Sequence, residues 1–228
     1  MISAHPTQMF SQGSFPVGCE KYRRAVEGKE PDIFTDIYQE EINIAIWQRE
    51  LSTKLKEHVN DIIKLRPTLQ IAMTVSPQSV ISSLNKNLGV TQSELSENIA
   101  ELVDMYCCLF ELKGVGLRLT VLDRAMCPKF HVDKVPCRLV STYYGVASEW
   151  LPHHMLDRSK LGSGSKGLAD HQSGLYRNPQ DIQQLSLGDV ALLKGESWEG
   201  NENAGLVHRS PAPSGGENRL LLTLDSIH

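Results

Sequence analysis

The sequence predicts an α+β protein, with a helical N-terminal part packed on a C-terminal antiparallel barrel or jelly roll. Three observations predict it. Apolar residues recur at spacings of three and four over residues 51–63 and 95–109, as on one face of a helix. After residue 115 apolar residues instead alternate with period two in several short segments, as in strands. Gly-rich runs at 162–167 and 214–216 punctuate those segments, and no helical pattern intervenes.

Residues 1–31 are rich in Ser, Gln, Gly, Pro and charge and read as an irregular arm. Ile42–Trp47 is β-branched and partly alternating, which suits a short strand, although a helix also fits. Leu51, Leu55, Val59, Ile62 and Ile63 share one helix face, and Arg66-Pro67 ends that helix. Leu69–Val75 is a second strand. Ser76-Pro77 reads as an N-cap with proline at the first helical position, opening a helix that turns Val80, Ile81 and Leu84 to the core. Thr91 and Glu94 fit a capping box for a helix from about residue 92 to 112. Leu95, Ile99, Leu102, Tyr106 and Leu109 form its stripe, and Gly114 its stop. The later strands are Gly116–Leu122, Pro136–Tyr144, Asp189–Leu193, Gly205–Arg209 and Arg219–Leu224. The division expected is an arm over 1–31, a mainly helical support region over 32–115, and a β domain over 116–228.

The chain has 228 residues, 23 Lys plus Arg against 27 Asp plus Glu, and a net charge of −4. No basic excess favours nucleic acid or an anionic membrane surface. Aromatic residues, at 6%, are too sparse for base-stacking platforms. No apolar run is long enough to cross a bilayer, and the first residues lack a secretory pattern. The five cysteines, at 19, 107, 108, 127 and 137, make an odd count without a CxxC pair. That pattern suits reduced thiols and a cytoplasmic location, and it excludes a zinc ribbon.

The chemistry concentrates in four residues. His131 and Asp133 are two apart, so on a strand both point to one face and offer an imidazole and a carboxylate to one ion. His208, on a later strand, completes two histidines and one carboxylate. This facial arrangement leaves positions open on a non-haem Fe(II) ion, and the residual positive charge suits an anionic co-substrate. Arg219 opens the last strand, where a guanidinium could grip a distal carboxylate through two parallel hydrogen bonds. Tyr143 or Tyr144 could add a phenolic hydroxyl to the same ligand. Cys127 and Cys137 flank the His-x-Asp, and a thiol contact would shift the preference toward zinc. The alternatives are structural: an ion pair for His131 and Asp133, a packed histidine for His208, a surface pair with Asp225 or Glu217 for Arg219, and core packing for Tyr143.

The order His-x-Asp, distal His, then Arg resembles that of the Fe(II)/2-oxoglutarate-dependent oxygenases. The resemblance covers roughly residues 117–225. It implies a cupin-like double-stranded β-helix, with His131, Asp133 and His208 on the metal and Arg219 on the co-substrate. It also implies an insertion near residues 153–185, and a dioxygenase that oxidises a C–H bond of an unknown small molecule or protein side chain. At whole-chain level, the runs CPKFHVDKVPCRL (127–139), SEWL (148–151), LVHRSP (206–211) and RLLLTLD (219–225) resemble a bacterial family defined only as a domain of unknown function. Some of its members accompany zinc-responsive genes. That resemblance implies a second reading, a non-catalytic protein of zinc homeostasis holding Zn(II) on the same three ligands.

Overall fold

The computed structural model describes residues 22–227 except 214 and 216. Most of the expected arm, including Cys19, lies outside the described residues. Its final part is not irregular: Arg24–Gly28 forms a strand, β1. Only Ala25 and Val26 are apolar there, too few to register as alternation. The strand is secured by the buried Arg23, whose Nε donates to Asn201 Oδ1 at 2.8 Å. A 3-10 helix over Pro31–Tyr38 then buries Phe34 and Ile37. In β2, Ile42–Trp47, five successive residues are buried, so both faces are covered and the alternation is weak.

The first helix, α1 (Thr53–Leu65), is capped by Ser52 Oγ, which accepts from Leu55 N at 3.1 Å. Strand β3 is Gln70–Val75. Ser76-Pro77 does not open a helix directly. Ser79 N donates to Ser76 O to form a turn, and α2 runs over Val80–Leu88. The third helix, α3, is Glu94–Leu109, and its cap corrects the sequence reading. Ser93 is the N-cap, its Oγ accepting from Ser96 N at 3.2 Å, whereas Thr91 lies outside the helix. Glu94 therefore occupies the first helical position instead of the third. The stop also comes early, with Leu112 N donating to Cys107 O around a left-handed Glu111.

Strands β4 (Val115–Leu122), β5 (Cys137–Tyr144) and β6 (Glu149–Leu151) follow. Residues 153–185 carry short 3-10 turns, the four-residue helix α4 (Asp170–Ser173) and the two-residue strand β7 (Gln183–Gln184). The chain then forms β8 (Val190–Lys194), β9 (Val207–Arg209) and β10 (Arg219–Ser226).

Seven strands make one sheet in the order β1-β2-β8-β5-β10-β4-β3, and three make a smaller sheet, β7-β6-β9. The expected boundary at 115/116 is crossed by the large sheet, because β2 pairs with β8 and β3 with β4. The support region thus contributes two strands to the large sheet beside its three α-helices. Pairing is antiparallel except between β1 and β2.

Side-chain parity assigns the two faces. Leu220, Leu222 and Leu224 share a core with Leu95, Ile99 and Leu102 of α3 and with Leu55 and Val59 of α1. Ile44, Ile46, Val140, Ala191 and Leu193 point the other way, against Trp150 and Leu206 beside the small sheet. Each fully buried aliphatic side chain contributes about 1.5–3 kcal/mol. No described helix is long and apolar enough to cross a membrane.

Ser93→Ala should cost about 1 kcal/mol of stability, while Thr91→Ala should stay within about 0.5 kcal/mol. Urea denaturation of the two variants checks this, and a larger loss at Thr91 would contradict the observed cap.

Candidate metal centre

The backbone brings the two histidines together. His131 N–H donates to His208 O, and His208 N–H donates to His131 O, each at 3.0 Å. This antiparallel pair attaches an otherwise irregular segment to β9. The side chains of His131, Asp133 and His208 then converge, with one ligand atom of each lying within 4.8 Å of the others.

Both rings are oriented for ligation. His131 Nδ1 lies 3.0 Å from Lys129 O, and His208 Nδ1 lies 3.4 Å from Leu206 O. A carbonyl oxygen only accepts, so each Nδ1 carries the proton and each Nε2 presents a lone pair. Those Nε2 atoms face Asp133, at 3.8 Å from Oδ1 for His131 and 3.4 Å from Oδ2 for His208. Two metal bonds of about 2.1 Å at a right angle place their donors about 3 Å apart, so the observed separations suit one ion. Burial pulls the His208 pKa down to about 4, with Asp133 opposing the shift and His131 adding to it. His208 is therefore neutral at pH 7, the form that binds metal.

Asp133 sits in a loop, not a strand, and is held from two sides. Glu196 N donates to Asp133 O at 2.9 Å, and Gly195 N donates to Pro136 O at 2.8 Å. Gly195 has to be glycine here, since a Cβ would overlap the Val135 carbonyl oxygen. Arg138 Nη1 donates to Asp133 Oδ2 at 2.9 Å. The rest of that guanidinium forks onto Asp225, Nε to Oδ1 at 2.7 Å and Nη2 to Oδ2 at 2.9 Å. Asp225 thus fixes Arg138, and Arg138 fixes Asp133.

Arg219 is the contrasting case. It is fully buried, at 0% exposure, and lacks a carboxylate partner among the described residues. Nη1 donates to Ser210 Oγ at 2.7 Å, and Nη2 donates to Ser148 Oγ at 2.7 Å and Thr142 Oγ1 at 3.2 Å. Its Nε has no partner among the described residues. Burial pulls its pKa down to about 10, opposed by Glu149, so the cation persists at neutral pH. Ser210 is two residues past His208 along extended chain, which places the cation's partner roughly 7 Å from the histidine backbone.

Tyr143 is not part of this pocket. Its ring lies in the helix-side core, and its hydroxyl donates to Asn98 Oδ1 at 2.8 Å. Tyr144 packs against the same core. It is Thr142 that faces Arg219, its Oγ1 accepting from the guanidinium. Arg219 does not pair with Asp225, which is occupied by Arg138, or with the exposed Glu217. Cys127 is exposed and Cys137 is buried on the helix side, and neither thiol joins a ligand cluster among the described residues.

A cavity of about 490 Å³ includes Val135, Arg138 and Asp225 in its wall. Ala72 and Arg118 also line a neighbouring cavity of about 690 Å³ that reaches Met126. A third, of about 520 Å³, lies within residues 154–181, and none of the three has a triad residue in its wall.

The sequence matches the family described as "Protein of unknown function (DUF1826)" over residues 28–225. The chain belongs to this family. No curated protein matches it in sequence. Among solved structures it is similar to dioxygenase for auxin oxidation 1 from Arabidopsis thaliana, in a 2-oxoglutarate complex. The identity is 11%, over 89% of this chain and 91% of that one, with a TM-score of 0.49. It is also similar to the dioxygenase for auxin oxidation in rice, at 8% identity over 89% and 82% of the two chains, TM-score 0.48. A Pseudomonas putida prolyl-4-hydroxylase is 10% identical over 85% and 95%, TM-score 0.42.

In this DUF1826 chain the sequence reading missed Arg138, Thr142, Ser148 and Ser210. Arg138 carried a signal, since it lies on the same strand face as Thr142 and five residues past Asp133. The three hydroxyls carried none, because Ser and Thr are common and these meet only through long-range pairing.

Asp225→Ala should cost roughly 1.5–3 kcal/mol by stripping a charged fork from Arg138. Glu217→Ala, which touches none of this, should stay within about 0.5 kcal/mol. Guanidinium unfolding midpoints measured at one pH check the difference.

Proposed function

We propose that this protein is an Fe(II)/2-oxoglutarate-dependent oxygenase acting on a substrate yet to be found. In this reading its two sheets form a cupin-like double-stranded β-helix. The observation that carries the proposal is Arg219, a fully buried cation ringed by Ser210, Ser148 and Thr142, with one N–H unpartnered among the described residues. A buried charge without a counter-charge is costly. The cost is explained by an anion that docks there, two residues along from a metal-binding histidine.

His131, Asp133 and His208 would hold Fe(II). Two neutral imidazoles and one carboxylate leave a divalent ion with one positive charge, and Arg219 adds another. A dicarboxylate balances both. With dioxygen as oxidant, bound Fe(II) and 2-oxoglutarate would supply oxidation of a C–H bond, one oxygen atom going to the substrate and the other to the succinate left when the keto acid loses carbon dioxide.

The chain's own residues do the rest. The carbonyls of Lys129 and Leu206 keep the Nε2 lone pairs free. Arg138 occupies one lobe of Asp133 Oδ2 and so directs the other carboxylate oxygen toward the ion. The three hydroxyls aim the Arg219 fork and leave its Nε–H for an incoming carboxylate. The cavity walled by Arg138 and Arg118 has room for a substrate next to the arginine that holds Asp133.

Anaerobic titration of the Fe(II)-loaded protein with 2-oxoglutarate should produce a saturable metal-to-ligand charge-transfer band. Asp133→Ala should abolish it. Stoichiometric metal without the band would reject the oxygenase and favour a zinc-holding protein. Arg219→Met should keep the metal but weaken 2-oxoglutarate by about 10- to 100-fold, the loss of one charged hydrogen bond or more. Unchanged co-substrate affinity in that variant would remove Arg219 from the role.

A further inference from the structure

Residues 156–182 pack against the face of the small sheet that carries Leu151 and Val207, the face opposite to His208 by strand parity. Leu175 of this segment clusters with Phe130, Leu151 and Val207, and Tyr176 stacks edge-on to Phe130 at 6.0 Å. One polar group reaches through this packing. Asp170, which opens α4, is only 8% exposed. Its Oδ2 accepts from the backbone N–H of Phe130 at 2.9 Å and from Arg209 Nη1 at 3.3 Å.

The positions of those two partners are what matter. Phe130 immediately precedes His131, and Arg209 immediately follows His208. The guanidinium of Arg209 also stacks over the Phe130 ring at 4.3 Å, and its Nε donates to Glu149 Oε2 at 2.6 Å. Glu149 is the cross-strand partner of Arg209, and Trp150 that of His208. A single carboxylate therefore binds the neighbours of both histidines from behind. It touches neither imidazole.

We propose that Asp170 is a positioning residue for the histidine pair, coupling the 153–185 segment to metal binding. This rests on the reading of His131, Asp133 and His208 as metal ligands. Fixing the Phe130 amide and the Arg209 side chain fixes the backbone on either side of the histidine bridge. The direction of both Nε2 lone pairs depends on that backbone. Coupling between two sites is reciprocal, so metal bound at the triad also stabilises the segment that holds Asp170.

The test uses cobalt(II) as a spectroscopic probe, added anaerobically to the full chain. Wild type should bind one equivalent with a defined d–d absorption band, and the bound metal should slow amide hydrogen exchange within residues 156–176. Asp170→Asn keeps the volume and an acceptor for Phe130 N but loses the charge opposite Arg209. It should lower cobalt affinity about 10- to 100-fold and shift the band, at temperatures where circular dichroism shows it folded. Wild-type affinity and an unshifted band in Asp170→Asn would overturn the proposal. Should that variant fail to fold, the wild-type exchange experiment decides: one equivalent of cobalt bound without protection of residues 156–176 overturns it as well. Absence of cobalt binding by wild type instead overturns the metal reading, and this inference with it.

Discussion

Two backbone hydrogen bonds between His131 and His208 are the constraint on which the site depends. Each contributes about 1 kcal/mol net, so alone they could not hold an irregular segment in place. They are reinforced along the segment: Cys127 O accepts from Ser210 N, Asp133 O from Glu196 N, and Pro136 O from Gly195 N. The segment 127–136 is thereby laced to the chain around β9 and after β8. Ring tautomers, the approach of Asp133 and the placing of Ser210 beside Arg219 all follow from this lacing.

Two arginines on the inner face show how environment divides the same side chain into different roles. Arg138 has two carboxylates and uses its whole fork, so it acts as a brace. Arg219 is more deeply buried and has only hydroxyls, so its charge is unspent. The hydroxyls solve the hydrogen-bonding problem of burial without solving the electrostatic one. That difference in partners sets the two arginines apart, and composition or motif spacing does not reveal it.

What the sequence disclosed follows from how locally each feature is encoded. Strands β4 and β10 were legible because one face packs on helices while the other carries Arg118, Thr120, Arg219 and Thr223. Strand β2 is buried on both faces and β6 has three residues, so neither shows a period. The order of strands was not legible, because pairing of β2 with β8 joins residues far apart in the chain. The metal candidates stood out because a His-x-Asp, a distal His and then an Arg occur in that order along the sequence. Tyr143 misled because a shift of one residue exchanges the faces of a strand, and Thr142 holds the inward position. The cap of α3 was ambiguous for a different reason: Thr91 and Ser93 are both competent caps, and only burial selects Ser93.

The position of β10 carries a consequence for how the chain is made. It lies between β5 and β4 and supplies all the pairing between them. Until residues 219–226 leave the ribosome, the large sheet exists at most as two fragments, β1-β2-β8-β5 and β4-β3, each with an unpaired edge facing the other. Such edges invite mispairing in a nascent chain. Insertion of the final strand closes that gap and, in the same step, buries the guanidinium of its first residue. Completion of the sheet and burial of the Arg219 guanidinium among Ser210, Ser148 and Thr142 are therefore one folding event.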